Sequence, residues 1–361
     1  MIDFVRGAVG RSRWKHTPPA ELKGRPPVAP PSEVAGALRA LADGATGAEV
    51  DLGDLDLRGV NLSEGRLAHA RFGNADLQGA DLRGADLRCA DLGWSYLAGA
   101  DLTDADLTQA TLTGAVLRGA TLHRARLDYA HLNGVDLDAA RCDGVRLPGA
   151  DLTGAHLGGA CLRGANLFRA RLHHVKEADA DLSGADLSYA SLSHANLENA
   201  RLVHAQLDFA DLRGARLVNA DLTGVRADGA DFVDADVSNA RLERASLRHA
   251  QLVRVHARYA SLRAADLRFA NIAAADLTRA TLRDADLRDA RLFDSRLDSA
   301  DLGGARLQYT GFAKVELSGV FGLDPAQLDH AWIDASTRFD ADLAADPAVQ
   351  ARIAATATRF S

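Results

Sequence analysis

Three sets of side chains have the types and spacing that chemistry would use. Aspartates recur at five-residue steps in Asp76, Asp81, Asp86, Asp91, Asp101 and Asp106, a dense carboxylate patch. Such a patch either imitates nucleic-acid phosphates or is a default solvated face. Further along, Arg126, Arg141, Arg146, Arg171, Arg201 and Arg216 take the same phase, so the surface is mixed. The run His173-His174-Val175-Lys176-Glu177 brings two imidazoles near a carboxylate. It is either a recognition point or metal site, or a bulge that turns Glu177 outward. Neighbouring histidines on an extended segment point in different directions, which weakens the metal reading. The third set is aromatic: Tyr129, Tyr189, Phe209, Phe269 and Tyr309 share one column of 20-residue spacing, with Arg248, Arg268 and Arg288 beside it. Aligned exposed rings form either a docking stripe for a protein or second copy, or a ladder stacked on itself. The arginines suit an acidic partner, or are neutralised by Asp266 and Asp286. No G-x-S-x-G, H-E-x-x-H, P-loop or Rossmann fingerprint occurs. The expectation is a protein that is not an enzyme, on a convex surface without a pocket, with no cofactor and no metal.

These side chains are positioned by one rule. From Leu52 to Leu317 every fifth residue is of core type, 54 positions of which 45 are Leu. Glu177 is the one charged member. Ala usually stands two residues earlier, as in Ala80-Asp81-Leu82. A period of five fits neither a helix at 3.6 nor a strand at 2. It needs a backbone that turns a corner once per five residues. A second period lies inside the first: Phe72, Phe232 and Phe312 are separated by multiples of 20. A column running Gly59, Gly79, Gly99, Gly119, Gly159, Asp179, Asn199, Asn219, Asn239 repeats every 20 to 40 residues. Gly and Asn tolerate positive φ at a turn. Four pentapeptides per coil account for both.

The dense matches Ala75-Asp76-Leu77, Ala85-Asp86-Leu87, Ala165-Asn166-Leu167 and Ala275-Asp276-Leu277 resemble the pentapeptide repeat family, with its A(D/N)LxX motif. The resemblance covers roughly residues 50–320. It implies an all-β solenoid, a right-handed quadrilateral β-helix; the 54 sides make about 13 coils. At about 4.8 Å per coil this is a rod of roughly 65 Å.

Both ends of a solenoid expose core and need covering. Residues 1–31 read as a basic, Pro-rich tail and linker. Residues 32–49 read as an N-terminal capping helix beginning at Ser32. Residues 50–320 form the β-helix, and 321–361 a C-terminal cap. In that cap Asp324-Pro325 starts one short helix, and Asp346-Pro347 a second carrying Val349, Ile353 and Phe360. That second helix is a candidate for pairing two copies.

The net charge is −7, which argues against direct binding to nucleic acid. Three scattered cysteines without CxxC read as reduced thiols. No signal-peptide pattern and no apolar run of membrane-spanning length occurs, so the chain is expected to be cytoplasmic, without a membrane partner. Ala-, Arg- and Asp-rich composition points to a high-GC bacterium. The functional expectation is a rod-shaped scaffold that binds a protein partner through its outer surface. The resemblance implies an alternative: a DNA mimic that binds DNA gyrase or topoisomerase IV and confers antibiotic resistance, such as protection against quinolones.

Overall fold

A computed structural model of the protein describes residues 51–176 and 179–357. The proposed tail and N-terminal helix, Glu177, and Phe360 lie outside these residues. The chain forms two compact units, Met1–Ala185 and Asp186–Ser361. The division falls inside the 50–320 stretch rather than at its ends.

In each unit the residue before Leu pairs in parallel with the residue 20 further on. In the first unit the pairs run from Asp51 with Arg71 to Cys161 with Asp181; in the second, from Asp186 with Gln206 to Asp301 with Phe321. Twenty residues per coil makes four pentapeptide sides. The hydrogen bonding of one side explains the beat. Leu57 N donates to Asp76 O at 2.7 Å and Gly59 N to Gln78 O at 2.9 Å, both one coil on. Asp76 N donates back to Leu55 O at 2.9 Å. Within the side, Val60 N donates to Leu57 O across a turn at 3.2 Å.

That turn has a positive φ at its third residue, the mark of type II. The same holds at every fifth residue from Asp54 to Gly319, with φ between +53° and +73°. Residues other than Gly, Asn and Asp adopt this region at a cost of roughly 1–2 kcal/mol. None of these 54 positions is Val, Ile, Thr or Pro, the residues whose branching or ring excludes it. Pro148, the one proline between residues 50 and 320, sits instead at the second turn position, where its fixed φ fits.

Leu and Ala of both units fill the interior with almost no exposure, and Phe72, Phe232 and Phe312 are fully buried. Where a hydroxyl replaces the alanine, it finds a carbonyl: Ser95 Oγ donates to Leu92 O at 2.7 Å and Thr310 Oγ1 to Leu287 O at 2.7 Å.

The beat ends in the second unit. Strand β1, Gly311–Phe312, pairs in parallel with β2, Trp332–Ile333. The offset is now 21 residues, because a 3-10 helix at Pro325–Leu328 lengthens the return. Asp324 starts that helix with a reciprocal capping box shared with Gln327. Gln327 Nε2 also donates to Leu302 O at 3.0 Å and Ala305 O at 2.8 Å, satisfying carbonyls where the regular coils run out. Helices α1, Ala341–Ala345, and α2, Pro347–Ala357, follow. Helix α2 packs on β2 and the 3-10 helix. Val349 is 1% exposed there.

Candidate partner-binding surface

The carboxylates before Leu have a local task. In a five-residue side four backbone amides bond to backbone, and the fifth, on the residue after Leu, has no backbone partner. Asp takes it: Arg83 N donates to Asp81 Oδ1 at 3.2 Å, Gly93 N to Asp91 Oδ1 at 2.9 Å and Thr103 N to Asp101 Oδ1 at 3.0 Å. The same bond joins Gln78 to Asp76, Arg88 to Asp86 and Thr108 to Asp106. All six residues of the acidic patch are therefore turn caps. Where Arg146 replaces Asp, Pro148 follows and has no amide to cap. Where Arg226 replaces it, the preceding coil supplies the acceptor, Asp208 Oδ1, to Asp228 N at 3.1 Å.

Many of these carboxylates also hold arginine. Arg83 bonds Asp81 at 2.6 Å and Arg88 bonds Asp86 at 2.6 Å, each through two nitrogens. In Asp86 the Arg88 bonds outweigh burial and hold the carboxyl below its ordinary range. Asp76 differs: it is 5% exposed, and burial, aided by nearby Asp56, pushes its pKa up despite the bond from Gln78.

The arginine ladder of the second unit is neutralised in the same way. Arg268 and Arg288 make paired bonds to Asp266 and Asp286, and Arg248 bonds Asp228 at 2.9 Å through Nε. Its neighbour column carries the rings. Tyr189 and Phe209 stack with centroids 5.1 Å apart, and His249 and Phe269 at 4.9 Å. Tyr309 meets His330 at 5.7 Å, tilted by 54°. Where the next coil offers Gly229, the Phe209 ring lies over its backbone: a Cβ there would fall 2.7 Å from Phe209 Cε1. In the first unit Tyr129 lies over Gly149 likewise. The rings form a ladder and still face out: Phe209 is 58% and Tyr129 63% exposed.

Two expectations change. Val349 is covered by its own chain, so it offers no surface to a second copy. The outer face is also not uniformly convex. A cavity of about 700 Å³ opens in the second unit between the ladder and α2, with Ile353 in its wall. It arises where the beat stops. The Phe293 ring lies over Gly311, where a Cβ would fall 2.7 Å from Phe293 Cε1, and Ala313, Tyr309 and Trp332 line the cavity with it. At the Glu177 site, the neighbouring pairs His156 with Lys176 and Cys161 with Asp181 keep their 20-residue register. Among the described residues, no cluster of three or more His, Cys, Asp or Glu side chains is placed to hold a metal ion.

A filled interior, four turn-capped sides per coil and side chains presented outward define a β-solenoid. Comparison with known proteins places it within that class. The Pentapeptide repeats family matches in eight copies between residues 66 and 321, and the chain belongs to that family. Its members form right-handed quadrilateral β-helices.

Among solved structures, the chain is similar to HetL, a pentapeptide repeat protein involved in heterocyst differentiation regulation from the cyanobacterium Nostoc sp. strain PCC 7120. The identity is 32% over 76% of this chain and 94% of that one, with a TM-score of 0.22. Rfr23, a pentapeptide repeat protein from the cyanobacterium Cyanothece 51142, is 23% identical over 30% of this chain and 61% of its own, with a TM-score of 0.19. Full-length QnrB1, a plasmid-mediated fluoroquinolone resistance protein, is 17% identical over 60% of this chain and 97% of its own, with a TM-score of 0.25. No curated protein matches the chain.

Proposed function

We propose that the protein is a non-enzymatic scaffold that binds a protein partner through its outer face, with the ring column of the second unit as the docking stripe. One observation carries this reading. Tyr189, Phe209, Phe269 and Tyr309 stay about half exposed while stacked or laid on backbone. A ring already held in place loses little freedom on binding, so its apolar area counts more fully toward affinity. Arg248, Arg268 and Arg288 alongside are committed to ion pairs with Asp228, Asp266 and Asp286. A cytoplasmic location belongs to the same reading and is supported by three free cysteines, of which Cys142 is buried and raised in pKa by burial.

The alternative of DNA mimicry toward gyrase or topoisomerase IV finds less support. A duplex presents an unbroken run of negative charge. Within each unit no column here has more than two carboxylates in succession, and the next residue is neutral, His or Arg. Purified gyrase separates the two readings. The scaffold reading expects unchanged supercoiling at micromolar protein, and inhibition would favour the mimic.

A further inference from the structure

The cavity beside α2 has a composition of its own. Its volume, about 700 Å³, lies within the range of small-molecule sites. Four rings line it: Phe269, Phe293, Tyr309 and Trp332. So do two carboxylates, Asp289 and Asp334, against one guanidinium, Arg291. Asp334 is anchored: Ser336 donates to its Oδ1 through N at 3.1 Å and Oγ at 2.6 Å, and Thr337 Oγ1 at 3.2 Å. Burial opposes its ionisation, but the Ser336 bonds and others outweigh it, so the carboxyl stays below its ordinary range. Asp289 is exposed at the rim and makes no ion pair among the described residues. Elsewhere on this surface most carboxylates are held by turn amides or arginines, so a carboxylate spare for a ligand is unusual here. Ring faces carry negative potential and attract cations, more strongly when desolvated.

We infer that this cavity is a binding site for a small organic cation with an apolar body, an aromatic or alkyl ammonium, held by the four rings and by Asp289 and Asp334. The concavity supplies apolar contact, the rings and carboxylates select positive charge, and Arg291 disfavours a second positive group near its own side of the wall.

Phe269 and Tyr309 belong to both the stripe and the cavity, but the inference stands whether or not a protein docks on the stripe. Phe209 is not among the cavity-lining residues, so Phe209→Arg disturbs docking alone, and Ala313→Trp fills the cavity alone. The test is calorimetric titration of the full chain with benzyltrimethylammonium, benzyl alcohol and phenylacetate. The cation is expected to bind saturably, about tenfold more tightly than the neutral alcohol. Asp289→Asn should weaken it roughly fivefold, and Ala313→Trp should abolish it with the melting curve retained. Three results would each overturn the inference: no saturable binding of the cation at millimolar concentration, phenylacetate bound as tightly as the cation, or an affinity unchanged in both variants.

Discussion

The ring of Phe209 covers the backbone of Gly229 one coil further on, so closely that a Cβ on Gly229 would lie 2.7 Å from Phe209 Cε1. Gly229 also has φ +67°. The two residues are coupled: the missing side chain of one seats the other. Gly229→Ala should therefore cost about 2 kcal/mol, from the left-handed backbone and the ring it displaces. In a Phe209→Ala background the ring clash is gone, and the same change should cost about 1 kcal/mol. A double-mutant cycle on denaturation midpoints checks this; additive effects would show that the ring does not rest on Gly229.

Turn capping by aspartate separates shape from charge. Asp101→Asn keeps an acceptor for Thr103 N and Thr103 Oγ1, now at 3.0 and 2.6 Å, and should change stability little. Asp101→Ala leaves the amide uncapped and should cost about 1 kcal/mol. Equal losses in both variants would mean that charge, not the cap, is what matters there.

The pH dependence has two signs. In Asp221 burial opposes ionisation, but bonds from Thr223 outweigh it and lower the pKa. In Asp286 bonds from Arg288 do the same. A lowered folded pKa gives stability that is present above the ordinary carboxylate value and lost as pH falls through the folded one. The midpoint should stay level from neutral pH to about 5 and fall below about 4. Asp76 has the opposite sign, because its raised pKa means that ionisation at neutral pH weakens the fold. Asp76→Asn retains the acceptor for Gln78 N and should raise the midpoint at pH 7, with the advantage disappearing in acid. A lower midpoint at pH 7 would contradict the assignment.

The turn position admits a direct steric test. Asn239 has φ +58°. Asn239→Gly should be nearly neutral, while Asn239→Val should cost about 2 kcal/mol, because a β-branched side chain is excluded from that region. Equal midpoints for the two variants would contradict the turn geometry.

Much of this architecture is legible in the residues alone. Leu every fifth position and Ala two before it report the interior, and the spacing of Phe72, Phe232 and Phe312 reports the four sides. Each follows from one rule repeated many times. The role of Asp before Leu is hidden, because its partner is a backbone amide that no side-chain column displays. Arg146 followed by Pro148 carries the trace of it: the acceptor and the donor vanish together. The cavity is hidden for a different reason. It forms where the chain leaves the five-residue beat and returns through Trp332 one residue late, and a broken period predicts no shape. The pinning of Arg268 and Arg288 by Asp266 and Asp286 was legible as one of two options, since the pairs stand two residues apart.

The central claim is that the ring column of the second unit is a protein interface. Site-specific photo-crosslinking in the native cell tests it most directly, with a benzophenone residue in place of Phe209 on the column and, in a second variant, in place of Tyr259 on another side of the same unit. The account predicts one discrete protein adduct at Phe209 that is absent at Tyr259, and loss of binding to that purified partner by at least about tenfold in Phe209→Arg. The same adducts at both positions, or a partner that binds Phe209→Arg unchanged, would contradict it.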